Sequence, residues 1–155
     1  MVTLAIISAI LFAIYLYVMA KFHGIQPSVS DNYYVSKHPW TFTIAMWTVA
    51  FTMLPPMLSA TMETFQLAAF LSCAGIAFVG AAAAYKESMT NTVHMWGAGI
   101  AGLMATIWAM TICPLIAWTA IIVALLLLAS KLRTKIYWIE LTAFIMTYLT
   151  YFIGG

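Results

Sequence analysis

Residues 91–130, NTVHMWGAGIAGLMATIWAMTICPLIAWTAIIVALLLLAS, form an apolar stretch of 40 residues without a single Asp, Glu, Lys or Arg. A helix crossing the hydrocarbon core of a bilayer needs about 20 residues. The stretch is therefore too long for one crossing and the right length for two. Cys113-Pro114 lies near its middle, and proline suits the first position of a new helix, where its missing N–H has no intrahelical partner to lose. The reading is two spans, 91–111 and 114–130, joined by a tight turn.

Working outward, comparable apolar runs occur at 2–20, 40–59, 64–85 and 136–153. The chain of 155 residues is 65% hydrophobic and 6% charged, against about 25% charged in a soluble domain. That excludes a soluble globular fold, which needs a far denser polar coat. A net charge of +2 without a basic cluster argues against nucleic acid as a partner and against disorder. The expected partner is the lipid bilayer. Cys73 falls inside one span and Cys113 at the end of another, so no disulfide is expected. The segment before Lys21 has neither a basic leader nor a small-residue cleavage site, so a secretory signal is not expected.

Charge placement tests the division into six. With six spans, Lys21, Lys37, Lys86, Lys131, Arg133 and Lys135 all fall on one side, which the positive-inside rule makes cytoplasmic. Five spans would set the last three against the first three. The expected fold is therefore all-α, one polytopic domain of six transmembrane helices in the cytoplasmic (inner) membrane. Both termini lie outside and the long first loop is cytoplasmic. Small residues at four-residue spacing, Ala69/Cys73/Ala77/Ala81 and Gly97/Ala101/Ala105/Ala109, predict close packing of the third and fourth spans, since small side chains let backbones approach in lipid. The run 121–128 is apolar all round and is read as lipid-facing. Tyr15, Tyr17, Trp40, Tyr85, Trp96, Tyr137 and Trp138 sit toward span ends, where interfacial anchors belong.

Chemistry concentrates at the cytoplasmic ends. The first loop carries Gln26-Pro27-Ser28-Val29-Ser30-Asp31-Asn32-Tyr33-Tyr34, in which Ser28-x-x-Asp31 has the spacing of a capping box. Tyr33 and Tyr34 then follow on a short interfacial helix. His94 and Glu140 lie just inside the fourth and sixth spans, and ionisable groups at membrane depth usually face a bundle interior or a wet cavity. Glu140 also has a structural reading, stabilised by its helix N-terminus and paired with Lys135 or Lys86. The candidate ligand-binding set is Ser28, Ser30, Asp31, Tyr33, Tyr34, Lys86, Asn91, His94 and Glu140, with His23, Lys37, His38 and Glu87 on the same side. Any site should open inward.

No lysine lies within a span, which excludes a retinal Schiff base, and no charge lies at mid-depth, as a pump would require. Thr41, Thr48 and Thr52, with Pro55-Pro56 beyond, are the only candidates for a polar track or a broken helix. A metal site would have to come from His94 and Asp31 with His23 or His38, without an HExxH or paired-cysteine spacing. Nothing resembles a phosphate-binding Gly-rich loop or a nucleophile elbow, and the sequence leaves any cofactor open.

Four pieces together, Pro27-Ser28-Val29-Ser30-Asp31-Asn32-Tyr33-Tyr34, Phe78-Val79-Gly80-Ala81-Ala82, His94-x-x-Gly97-Ala98 and Trp138-Ile139-Glu140, resemble a group of small, uncharacterised bacterial and phage-borne integral membrane proteins. More remotely, Ser, Asp and His at helix ends resemble the CREST-type membrane hydrolases, a likeness that implies a metal site of Ser, Asp and several His. This chain lacks their HxxxH pair and has fewer spans. Two functions follow as expectations, beside a third reading in which the polar end only caps and anchors the bundle and the function lies with an unseen protein partner. One is a helical bundle that binds a small or lipid-like ligand at its cytoplasmic end, or acts through oligomerisation as a carrier or channel. The other is an intramembrane metal-dependent hydrolase with Asp31 and His94 as ligands or acid/base groups and Glu140 behind them.

Overall fold

The apolar runs become helices at nearly the boundaries read from the sequence. The computed structural model describes residues 1–82 and 88–155, with side chains described outside 82–93. Its elements are α1 (Val2–His23), a short α2 (Asn32–Val35), α3 (Trp40–Ser59), a 3₁₀ turn (Glu63–Phe65), α4 (Gln66–Ala82), α5 (Ser88–Ile112), α6 (Pro114–Ala129) and α7 (Lys135–Gly154). Cys113 alone separates α5 from α6, and Pro114 opens α6 as expected. α1 stops at Gly24, whose φ of 74° is open to glycine and strained for other residues. α3 does not break at Pro55-Pro56. It runs on to Ser59, with the Ala60 N–H closing on the Pro56 carbonyl at 3.1 Å.

Among the described residues, five helical segments are long and apolar enough to cross a membrane: Val2–His23, Trp40–Ser59, Glu63–Ala81, His94–Ile112 and Lys135–Gly154. α6, with 16 residues, extends about 24 Å at 1.5 Å per residue. It runs back beside α7: Gly154 abuts Ile112 and Cys113 at its start, and Lys135 Nζ donates to the Leu128 carbonyl at its end. Its outer face is bare apolar surface, Leu115 being 77% exposed, as a helix against hydrocarbon should be.

α1, α3, α4, α5 and α7 form a ring, with α6 packed outside α7 and α5. α1 closes it through the Phe12–Phe144 ring contact at 4.3 Å and the Ser8–Tyr148 hydroxyl bond at 2.9 Å. Lipid tails are as apolar as leucine, so helices in a bilayer are held by close packing and by hydrogen bonds across helices. Both devices are visible. A Cβ on Gly75 of α4 would stand 2.8 Å from the Gly97 carbonyl oxygen and from Ala101 Cβ, so the α4 and α5 backbones meet where only hydrogen fits. On its other side α4 receives two donors from α3, Thr43 Oγ1 on the Gly80 carbonyl at 2.9 Å and Trp47 Nε1 on the Ala77 carbonyl at 3.1 Å. At the end remote from the first loop, the wholly buried Trp108 donates to Thr61 Oγ1 at 2.6 Å.

Two sequence expectations are corrected. The third and fourth spans do pack closely, but the Ala69/Cys73/Ala77/Ala81 stripe faces α3, with Cys73 Sγ 3.6 Å from Met57 Sδ; Gly75 makes the approach to α5. Tyr137, read as an interfacial anchor, is buried at 5% exposure because the first loop folds over it. Both cysteines are free.

Gly75→Ala should lower stability by about 1–3 kcal/mol through overpacking against backbone that cannot yield. Gly99→Ala, whose Cβ would meet nothing within 4 Å, should leave stability unchanged or raise it by about 1 kcal/mol through helix propensity. Thermal unfolding in detergent, followed by circular dichroism, measures both.

Candidate functional site

The first loop is tied to the far end of the sequence. Ser28 N–H donates to Asp31 Oδ2 at 3.1 Å, and Asp31 N–H donates to Ser28 Oγ at 3.2 Å, the reciprocal pair of a capping box. The box winds residues 28–34 into successive i→i+3 turns leading into α2. Proline 27 and Val29 are thereby turned toward α7. The Tyr137 N–H donates to the Pro27 carbonyl at 3.0 Å, satisfying one of the amides that a helix N-terminus leaves without an internal partner. The Val29 N–H donates to Glu140 Oε2 at 2.6 Å. Val29, 3% exposed, is seated as a plug.

Beneath that plug lies a partly open cavity of about 160 Å³ between α3, α4, α5 and α7. Its walls are mainly apolar: Phe42 and Met46 from α3, Ile76 and Val79 from α4, Phe144 from α7. α5 contributes only the small residues Ala98, Ala101, Gly102 and Ala105, and this run of small side chains is what leaves the space. A Cβ on Gly102 would meet nothing within 4 Å. Ser72 and Thr147 place hydroxyl groups in the wall, and Ser30 and Glu140 stand at the loop end.

His94 precedes Ala98 by one helical turn and so shares its face. Its ring lies against the Val79 carbonyl, and Asp31 is within electrostatic reach of both His94 and Glu140. Nδ1 of His94 is buried with no hydrogen-bond partner among the described residues. The same is true of both side-chain polar atoms of Asn32, a residue 1% exposed, and of the Tyr15 hydroxyl. Buried polar atoms without partners are rare in folded proteins, and a bound water, ion or ligand is the usual reason for them.

The structure thus brings Ser28, Ser30, Asp31, His94 and Glu140 to one end of the bundle, although Asp31 and Glu140 are 109 residues apart in the chain. Tyr33 and Tyr34 lie outside the cavity wall, stacked edge-to-face at 5.3 Å, with Tyr33 also against Phe42. Lys86 and the side chain of Asn91 lie outside the described residues. The pairing of Glu140 with Lys135 is corrected: Lys135 instead caps α6, at the Leu128 carbonyl. Among the described residues no three His, Cys, Asp or Glu side chains converge closely enough to hold a metal ion. Sequence reasoning missed Val29, Gly102, Ser72 and Thr147. The missing signal is the inward face of each helix, which hydrophobicity does not mark when every face is apolar.

Comparison with family models, curated proteins and solved structures finds no match to this chain.

Glu140→Leu removes the acceptor of the Val29 amide and should cost about 1–3 kcal/mol of loop attachment. The Val29 amide should then exchange with deuterium roughly 5- to 150-fold faster. Glu140→Gln keeps a carbonyl oxygen at that place and should retain most of the protection. Hydrogen exchange read by mass spectrometry on the peptide covering residues 25–35 distinguishes the two.

Proposed function

We propose that the protein is a six-span membrane bundle that binds a small, largely apolar ligand in the cavity beneath the first loop, with the polar end of that site on the cytoplasmic side. The cavity is the observation that carries this reading. At about 160 Å³ it is close in size to a cavity of roughly 150 Å³ that stays dry and takes up benzene. Its walls combine apolar surface with a few placed polar groups, the usual make-up of small-molecule sites. A second, larger and more open gap of about 370 Å³ lies between α3 and α4, lined by Trp47, Phe51, Phe70 and Phe78; it lacks the carboxylate and hydroxyl groups of the loop-end cavity.

The orientation rests on the basic side chains of the described residues, Lys21, Lys37, Lys131, Arg133 and Lys135, which fall on one side once α6 is counted as a crossing. A membrane-impermeant maleimide tests it in intact cells, with Cys73→Ala and Cys113→Ala removing the native thiols. Met62→Cys, in the turn before α4, should label from outside. Ser36→Cys, in the first loop, should label only after permeabilisation, and the opposite pattern would reverse the topology.

For binding, purified protein in nanodiscs titrated with benzyl alcohol should give saturable heat or saturation-transfer signals. Gly102→Leu fills the cavity from a position whose Cβ has free space. It should abolish the saturable component while leaving the unfolding temperature unchanged or raised. Saturable binding that survives Gly102→Leu would place the ligand elsewhere.

A further inference from the structure

We propose that the ligand carries a positively charged or strongly hydrogen-bond-donating head, as a compact amine does, which docks on Glu140 at the cavity's loop end while an apolar group of about six carbons fills the space below. This rests on the cavity reading above and adds the chemistry of the head.

The argument starts from what the mouth offers. Glu140 lines the cavity and accepts one hydrogen bond, from the Val29 N–H. An ionised carboxylate has about four acceptor positions and no donor, and in an apolar surround it is costly unless those positions are filled by donors or by an opposite charge. Among the described residues no lysine or arginine pairs with it; Lys135 is engaged at Leu128. Asp31, the second carboxylate within electrostatic reach, adds negative potential at the same end. His94 offers a buried Nδ1 with no partner among the described residues, and Ser30 adds a hydroxyl. The groups with capacity to spare are mainly acceptors. An anionic head would meet two carboxylates, whereas an ammonium would supply up to three donors and an opposite charge that no described residue provides.

The shape agrees with a head-and-body ligand. Below Glu140 the walls turn apolar within one helical turn of α7, at Ala143 and Phe144, and the small side chains of α5 face them. A ring or short alkyl group is buried there without further hydrogen bonding, and its burial gains about 25 cal/mol per Å² of apolar surface. The head then lies beneath Val29 and Ser30, so the plug covers the polar end of the bound molecule.

The test compares three probes of one body and different heads, benzylamine, benzyl alcohol and benzoate, on the full chain in nanodiscs of zwitterionic lipid, with Gly102→Leu protein as the blank for partitioning into the bilayer. The expected order is benzylamine tightest, benzyl alcohol weaker by roughly tenfold or more, and benzoate weakest. Glu140→Gln, which keeps the Val29 acceptor, should bring benzylamine down to the level of benzyl alcohol and leave the alcohol within about twofold. Equal binding of amine and alcohol, or preference for benzoate, overturns the assignment of the head while the cavity reading stands. If none of the three shows binding sensitive to Gly102→Leu, the cavity reading falls and this inference with it. The wild-type comparison decides the matter even where Glu140→Gln fails to fold.

Discussion

In hydrocarbon, apolar side chains gain nothing by leaving the solvent, so everything in this fold depends on how closely two backbones can approach and on which few polar groups can reach across. At Gly75 a hydrogen atom is the largest group the α4–α5 contact accepts. That contact fixes the distance between the two helices that form the cavity's inner wall. The side chains facing it from α5 are equally small, yet here they are opposed by α7 at a distance. Small residues thus have opposite effects on two faces of one helix. Facing Gly75 they eliminate space, and facing Phe144 they leave it.

The polar contacts divide in a similar way. Thr43, Trp47 and Trp108 spend their donors on neighbouring helices and tighten the bundle. Asn32, Tyr15 and His94 keep polar atoms buried and without partners among the described residues, and all three belong to the end that carries the first loop. Burial without a partner costs about 1–3 kcal/mol per group. Thr150, wholly buried near the other end of α7, carries the same cost, so the unpartnered groups are concentrated at the loop end but not confined to it.

Much of this was legible in the sequence, for definite reasons. Helix boundaries follow from apolar length and from Pro114, each a local cause, although α1 runs three residues past its expected end, to the stop at Gly24. The Ser28/Asp31 box was readable because both partners lie three residues apart. The gathering of Asp31, His94 and Glu140 was readable because alternating spans fix which helix ends share a side. What was not legible is rotational. The hydrophobic faces of α4 and α5 differ too little to say which way Gly75 or Gly102 points, and Tyr137 looked like an anchor because its burial depends on a loop 110 residues earlier in the chain. The partner of Glu140 is a backbone amide, and any residue but proline carries one, so no side-chain pattern announces it.

The bond between Val29 and Glu140 spans 111 positions of the chain, and this sets an order on how the protein comes into being. At about 5–20 residues per second of synthesis, the loop is made on the order of 5–20 s before the helix that will hold it. Through that interval the helices before α7 can assemble, but the compartment has neither its last wall nor the clasp of its lid. The cavity gains its α7 wall and the Glu140 acceptor together, so a chain truncated before its final helix lacks both.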